Sequence, residues 1–377
     1  MIVSPILPEI AVALDVPQAH LGWLVSSYAA FLGVFALLAG PVSDRVGRRR
    51  ILLAGTVSMA AVLLLHALAS TFPLLLAARA LAGAAGGLLS GAAVAYVGDY
   101  FPYERRGWAN GWVMSGIAAG QVLGIPAGTA LALVFDYRWP FLAFAVVSAV
   151  AALVIWRRVP QPDVVRMETP LSFGSMVRGY ADVLREPAPR AAVLVYFLMF
   201  FGLGLFVPYY PVWLRGTVGL SEWDLIWLFG AGGLTNVVAS PLSGRLSDRV
   251  GRWPLIFASC LLFAAVMGAT TYVVVGLFSA AAMFSLAMVS VALRLSPLQS
   301  LLSALVPDER RGVMMSGAIS AGQVGMAVAA GLAGVVFERI GFIGNTLGGA
   351  VALLAMAAVV WMRLPEPAHE PVPVVAG

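Results

Sequence analysis

Long apolar runs, separated by short breaks rich in arginine, glycine or proline, fill almost the whole of this chain. A helix rising about 1.5 Å per residue needs about 20 apolar residues to cross ~30 Å of hydrocarbon. Eleven runs meet that length, at 20–39, 51–69, 73–97, 108–134, 139–158, 190–213, 223–243, 254–274, 276–305, 312–336 and 342–362. A further segment, MIVSPILPEIAVAL ahead of Asp15, is too short to cross and reads as the outer part of a first helix, truncated here or begun upstream of Met1. It lacks the basic start and the small-residue cleavage site of a signal peptide. Counting it as helix 1, the pattern predicts an all-α membrane protein of twelve helices.

The pattern also repeats. Gly40, Asp44, Arg45, Gly47 and Arg48 in GPVSDRVGRRR return 204 residues later as Gly244, Asp248, Arg249, Gly251 and Arg252 in GRLSDRVGRWP. Each copy lies between two long apolar runs and predicts a tight charged turn. ERRG recurs at Glu104–Gly107 and Glu309–Gly312, each after a proline, and an MSG followed by a GQV recurs at Met114 and Gln121 and again at Met315 and Gln323. The chain therefore divides into a six-helix bundle at 1–159, a polar linker at 160–189, a second six-helix bundle at 190–363 and a proline-rich tail at 364–377. Within the linker, Met176, Tyr180, Val183 and Leu184 are spaced for a short amphipathic helix lying on the inner membrane surface, with a plain linker as the alternative. Duplicated units of this kind suit alternating access, in which a site near the midplane opens to one side at a time.

Composition agrees with the membrane setting: 61% of residues are hydrophobic, 11% are charged, and the mean hydropathy is +0.93. The chain has no lysine, so its positive side-chain charge is carried by arginine. Eighteen arginines fall in the breaks on one side and three (Arg138, Arg215, Arg339) on the other. The positive-inside rule places the rich side in the cytoplasm, with both chain ends there if helix 1 is complete. A pI near 9.6 then reports topology and contact with anionic lipid, and makes no case for nucleic acid. Lone Cys260 and the scattered His20, His66 and His369 form no metal-ligand cluster, and no catalytic or cofactor motif is present, so neither enzyme chemistry nor a cofactor is expected.

These residues resemble the major facilitator superfamily of secondary transporters over essentially the whole chain. The family's turn pattern between helices 2 and 3, G-x-x-x-D-R-x-G-R-R, is matched by Gly40, Asp44, Arg45, Gly47, Arg48 and Arg49. The second copy stops matching at Arg252, where Trp253 and Pro254 follow, and so reads as the weaker one. The resemblance implies that Asp44 pairs across the cytoplasmic seam near the start of helix 11. It also implies that Arg48 meets Asp99 at the inner end of helix 4, forming a latch that holds the outward-open state. The alternative is that these arginines only set topology.

Further residues carry expectations about the pathway. Arg79 on helix 4 faces a cavity or snorkels outward, above a close-packing face of Gly83, Gly87 and Gly91; by resemblance it bears on proton coupling. Helix 5 carries Gly116, Gly120, Gly124 and Gly128 with Pro126 and Gln121. That stripe resembles the glycine and proline motif of the superfamily's antiporters, although Ile125 interrupts it, and GQVLGIPAGT followed by YRWPF looks closest to bacterial drug or sugar efflux members. Arg294, deep in helix 10 near Gln299, either binds an anionic group or balances Glu309. Tyr196, Phe200 and Phe201 on helix 7 supply aromatic surface for an amphipathic ligand. Tyr209 and Tyr210 add to that surface or belong to an interfacial belt. No carboxylate lies deep within a predicted span, so proton coupling rests on the resemblance. The expectation is a monomeric, proton-coupled exporter of a small drug-like or sugar-like molecule in a bacterial inner membrane, surrounded by lipid. An importer or facilitator, or a non-transporting membrane sensor, is the alternative.

Overall fold

In the computed structural model, residues 3–101, 119–161, 173–306 and 311–364 are described, together with positions 105, 109, 112, 113 and 116. The described residues are helical almost throughout, as lipid demands: with no water to bond to, each spanning backbone must satisfy its own N–H and C=O groups. The helices are α1 (Leu7–Ala13), α2 (Gln18–Val46), α3 (Arg48–Leu68), α4 (Phe72–Tyr100), α5 (Ile125–Val134), α6 (Arg138–Arg158), α7 (Phe173–Arg185), α8 (Pro187–Phe206), α9 (Tyr210–Trp213), α10 (Glu222–Val250), α11 (Arg252–Val273), α12 (Leu277–Ala304), α13 (Arg311–Ile340) and α14 (Phe342–Arg363). Among the described residues ten helices are long and apolar enough to cross a membrane. Two shorter apolar stretches, Ser4–Ala13 and Gly120–Val134, correspond to predicted helices 1 and 5.

Several boundaries differ from the expectation. The charged turns are narrower than the motif suggests, because α2 continues through Asp44 to Val46 and α10 through Asp248 to Val250. Only Gly47 (φ 101°, ψ 137°) and Gly251 (φ 93°, ψ 155°) leave the helical region. That backbone position favours glycine, which has no Cβ to strain it. Predicted helix 7 is broken into α8, α9 and a π-helical turn at Leu214–Val218, and α5 is preceded by a second π turn at Gly120–Gly124. The linker does form a helix, α7, but Val183 is buried and Tyr180 reaches into the protein, so part of its apolar face packs inward instead of lying on lipid.

Within the first half α2 packs on α4, and α3 on α4 and α6; within the second, α10 packs on α12, and α14 on α8 and α11. The halves meet where α2 crosses α13 and where α5 and its π turn cross α10. Small residues set these approaches. A Cβ on Gly83 would collide with the Tyr28 carbonyl oxygen, and one on Gly87 would sit 2.7 Å from that of Leu32, so α4 lies directly against α2. The helix 5 stripe behaves differently: no described atom lies within 4 Å of a Cβ built on Gly116 or Gly120, and Gly124 has only the Phe144 ring at 3.8 Å. Gly128 alone of the four is buried. Large apolar side chains such as Val12, Trp227, Tyr272 and Phe278 stand exposed around the outside, where hydrocarbon covers them.

Candidate functional site

Between the halves lies a cavity of about 140 Å³, lined from both sides. Ser4 and Pro5 enter from the start of the chain, Gln121 and Ile125 from the π turn and α5. The second half contributes Met199, Phe200, Leu203 and Phe206 of α8 with Val207 just after it, Tyr210 of α9, Phe229, Gly233 and Asn236 of α10, and Phe284, Met288, Val291 and Leu295 of α12. Gln121 is carried to the wall because the π turn widens the helix there, while Gly233 opposite lets α10 close in: a Cβ on it would sit 2.9 Å from the Gln121 carbonyl oxygen. The described lining carries no charged side chain. Its polar members are neutral, and two are partly committed: Tyr210 donates to the Ala280 carbonyl oxygen at 3.3 Å, and Asn236 Oδ1 accepts from Ser240 at 2.9 Å. A wall of this kind can take up an apolar body and bond one or two neutral polar groups on it.

The expected cavity residues divide. Phe200 lines the cavity, whereas Tyr196 is buried one turn away with its ring 6.2 Å from Phe200, Phe201 stacks on Phe197, and Gln299 is exposed. Tyr209 and Tyr210 are fully buried, which removes the interfacial-belt reading. Gln323 lies against Gly33 at the α2–α13 crossing. Arg79 neither faces the cavity nor snorkels: it is buried, its Nε donates to the Leu24 carbonyl oxygen at 3.1 Å, and its guanidinium lies 4.4 Å from the Tyr28 ring centre. It thus ties α4 to α2. Arg294 is fully buried beside Cys260, its guanidinium 5.3 Å from the Phe263 ring centre. It sits behind the lining residues Val291 and Leu295, and its alternative partner Glu309 lies outside the described residues.

At the arginine-rich end, Arg48 Nε donates to Asp99 Oδ2 at 2.8 Å, which is the contact the resemblance implied. Arg49 donates to the Trp156 carbonyl oxygen at 2.6 Å and Tyr96 to that of Pro160 at 2.8 Å, so the start of the linker lies across this turn. In the second half Trp253, 204 positions after Arg49, donates its indole N–H to the Val360 carbonyl oxygen at 3.1 Å, itself 204 positions after Trp156. The second turn is therefore tied to its last helix in the same place, by a ring in place of a guanidinium. The side chains of Asp44, Arg45 and Asp248 lie outside the described set.

Between the halves the two ends differ. At the arginine-poor end α2 and α13 touch directly: a Cβ on Gly22 or Gly334 would collide with the carbonyl oxygens of Ala330 and Ala19. Tyr209 accepts from the Gly22 amide at 3.1 Å and donates to the Gln18 carbonyl oxygen at 2.6 Å, while Glu338 accepts from the Ala19 amide at 3.0 Å. Toward the arginine-rich end Tyr180 of α7 stands between the same two helices, its hydroxyl 3.4 Å from the Leu37 carbonyl oxygen and 3.0 Å from Ser316 Oγ. The seam is closed at one end and wedged at the other. Asn236, Tyr180 and the tyrosine clasp were not singled out for these roles in the sequence. A carboxamide side chain amid the mostly apolar run GGLTNVVAS was the available signal for Asn236.

Two helical bundles related by duplication, with a neutral cavity at their junction and one end of the seam closed, form the architecture of a membrane transporter. A sequence profile of the Major Facilitator Superfamily matches residues 1–294 and 192–376, and the chain belongs to that family. It is a transporter and not an enzyme. The MFS-type transporter YceJ of Bacillus subtilis, named as uncharacterized, is 24% identical over 363 residues, covering 96% of this chain and 92% of its own length. The multidrug transporter MdfA of Edwardsiella piscicida is 28% identical over 245 residues, 62% of this chain and 60% of its own. Among solved structures, a D-xylose-proton symporter superposes with a TM-score of 0.79 at 19% identity, over 97% of this chain and 94% of its own, and shares the fold.

Proposed function

We propose that this transporter exports a small, uncharged, amphipathic compound through the cavity at the junction of the halves, with the arginine-rich face in the cytoplasm and proton entry driving the cycle. The observation that carries the reading is the lining itself: phenylalanine, methionine and leucine from three helices, α8, α10 and α12, with Gln121, Asn236 and Ser4 as neutral polar points. A sugar presents a hydroxyl on nearly every carbon, and each would have to be bonded or desolvated at a cost of about 1–3 kcal/mol. That wall offers too few partners, so a drug-like cargo fits better than a sugar-like one. Kinship with a multidrug transporter runs in the same direction.

The test is uptake into everted membrane vesicles energised by a proton gradient, comparing chloramphenicol as a neutral lipophilic probe, ethidium as a cation and xylose as a sugar. Gradient-dependent accumulation of the neutral probe, abolished by uncoupler and reduced about tenfold by Asn236→Leu, is expected from the loss of about 1.4 kcal/mol of polar contact. Accumulation of xylose in preference to chloramphenicol would overturn the drug-like cargo, and gradient-independent equilibration of either would overturn the exporter reading in favour of a facilitator.

A further inference from the structure

We propose that Glu9 is a proton-binding site that locks or releases the arginine-poor end of the seam. Arg215, in the π turn after α9, donates through Nη1 to Glu9 Oε1 at 2.6 Å and through Nη2 to Glu222 Oε1 at the start of α10. Glu9 belongs to α1 and so to the first half, while Arg215 and Glu222 belong to the second. The Glu9–Arg215 bond therefore spans the junction, across 206 positions of sequence, and must break for this end to open.

Two carboxylates share one guanidinium, so the triad carries a net charge of −1 when both are ionised and is neutral when one is protonated. Glu9 is the member suited to take the proton. Its Oε2 is buried without a hydrogen-bond partner among the described residues, so there an ionised oxygen has lost water without compensation. Glu222 is more exposed and sits in the first turn of the 29-residue α10, where the helix terminus favours a negative charge. A proton from water on Glu9 Oε2 leaves Arg215 balanced by Glu222 inside the second half and removes the ion pair between the halves. Among the described side chains, the other titratable groups on α2 and α9, which pack against α1, include Tyr28, which lies under Arg79, as well as Tyr210 and His20. Tyr210 donates to Ala280, and His20 stacks on Trp23 and Phe72.

The consequence is directional: acid on the arginine-poor side favours opening there, and alkaline conditions favour closure. This rests on the alternating-access reading, but its test needs no cargo. Spin labels at Val12 and Trp223, both exposed and on opposite halves, report the separation in nanodiscs after Cys260→Ser. The wild type is expected to shift its closed-to-open ratio by about tenfold between roughly pH 8 and pH 5. Glu9→Gln should remain in the open distribution throughout. Glu222→Gln, which leaves Glu9 as the sole partner of Arg215 within the triad, should stay closed to a lower pH than the wild type. A wild type whose distances ignore pH, or a Glu9→Gln protein that keeps the wild-type response, would overturn the assignment. If Glu9→Gln fails to fold, the wild-type titration and the direction of the Glu222→Gln shift decide it.

Discussion

The two copies of the charged turn share a backbone and differ in what fastens them. In the first, Gly47 turns the chain and two arginines hold it: Arg48 on Asp99 and Arg49 on the Trp156 carbonyl. In the second, Gly251 makes the same turn, but Trp253 takes the place of Arg49 and adds ring contacts to Phe257 and Trp361 with centroids 5.4 and 4.9 Å away. Counting 204 residues on from Asp99 reaches Ser303, and the 205-residue offset of the neighbouring ERRG repeat reaches Ala304, neither of them acidic. Charges in a half-buried setting can be exchanged for water or another partner at modest cost, whereas a packed indole must leave a hole behind. The first turn is thus held by exchangeable polar bonds and the second by packing.

That contrast can be broken experimentally. Trp253→Ala should have the largest effect on stability, lowering it by about 2–3 kcal/mol through lost packing and the lost indole bond, read as a drop in the melting temperature of the purified protein. Trp253→Arg should recover part of that loss by restoring a donor to Val360. A Trp253→Ala protein as stable as the wild type would dissolve the idea of a static staple.

Next is the turn itself. Gly47→Ala should cost about 1–2 kcal/mol, because a Cβ is forced into a positive φ and meets the Gln161 side-chain nitrogen at 2.9 Å. Gly251→Ala meets the same φ penalty, at φ 93°, and should also lower the melting temperature; equal drops for the two variants would show that Gln161 simply moves aside. Asp99→Asn should change stability by about 1 kcal/mol or less but slow transport, since it removes the charge-assisted bond and little packing. Ser303→Asp should leave transport near the wild-type rate. The smallest contrast is between Asp44→Asn and Asp248→Asn, where transport should fall about threefold further in the first, an effect below 1 kcal/mol.

Much of this architecture was legible in the chain. Run lengths gave the spans, and the repeated glycines marked where φ turns positive in each half. The Arg48–Asp99 pair joins neighbouring helices of one bundle at the same membrane face, and a resemblance to known turns was enough to expect it. Arg79 shows the limit. Its cost in lipid signalled that it must face something, yet the partners turned out to be a carbonyl oxygen and a tyrosine ring on α2, groups with no charge pattern to announce them. For the helix 5 stripe, equal spacing of glycines says nothing about whether a neighbour comes close: among the described residues a Cβ on Gly124 would meet only the Phe144 ring.

Sequence alone determined that the chain lies in a membrane, that it is a duplicated bundle, which face carries the arginines and where glycine turns the chain in each half. Those properties depend on local length, composition and single-residue backbone freedom. Only the tertiary structure decided which side of each helix meets the cavity, why Asn236 and Gln121 share it, why Tyr180 stands in the seam, and that Glu9 finds Arg215. In a soluble helix the polar stripe tells the buried face apart. In lipid both faces are apolar, so the rotation of each helix and the pairing across more than 200 residues are fixed by packing and polar contacts that exist only once the bundle has assembled.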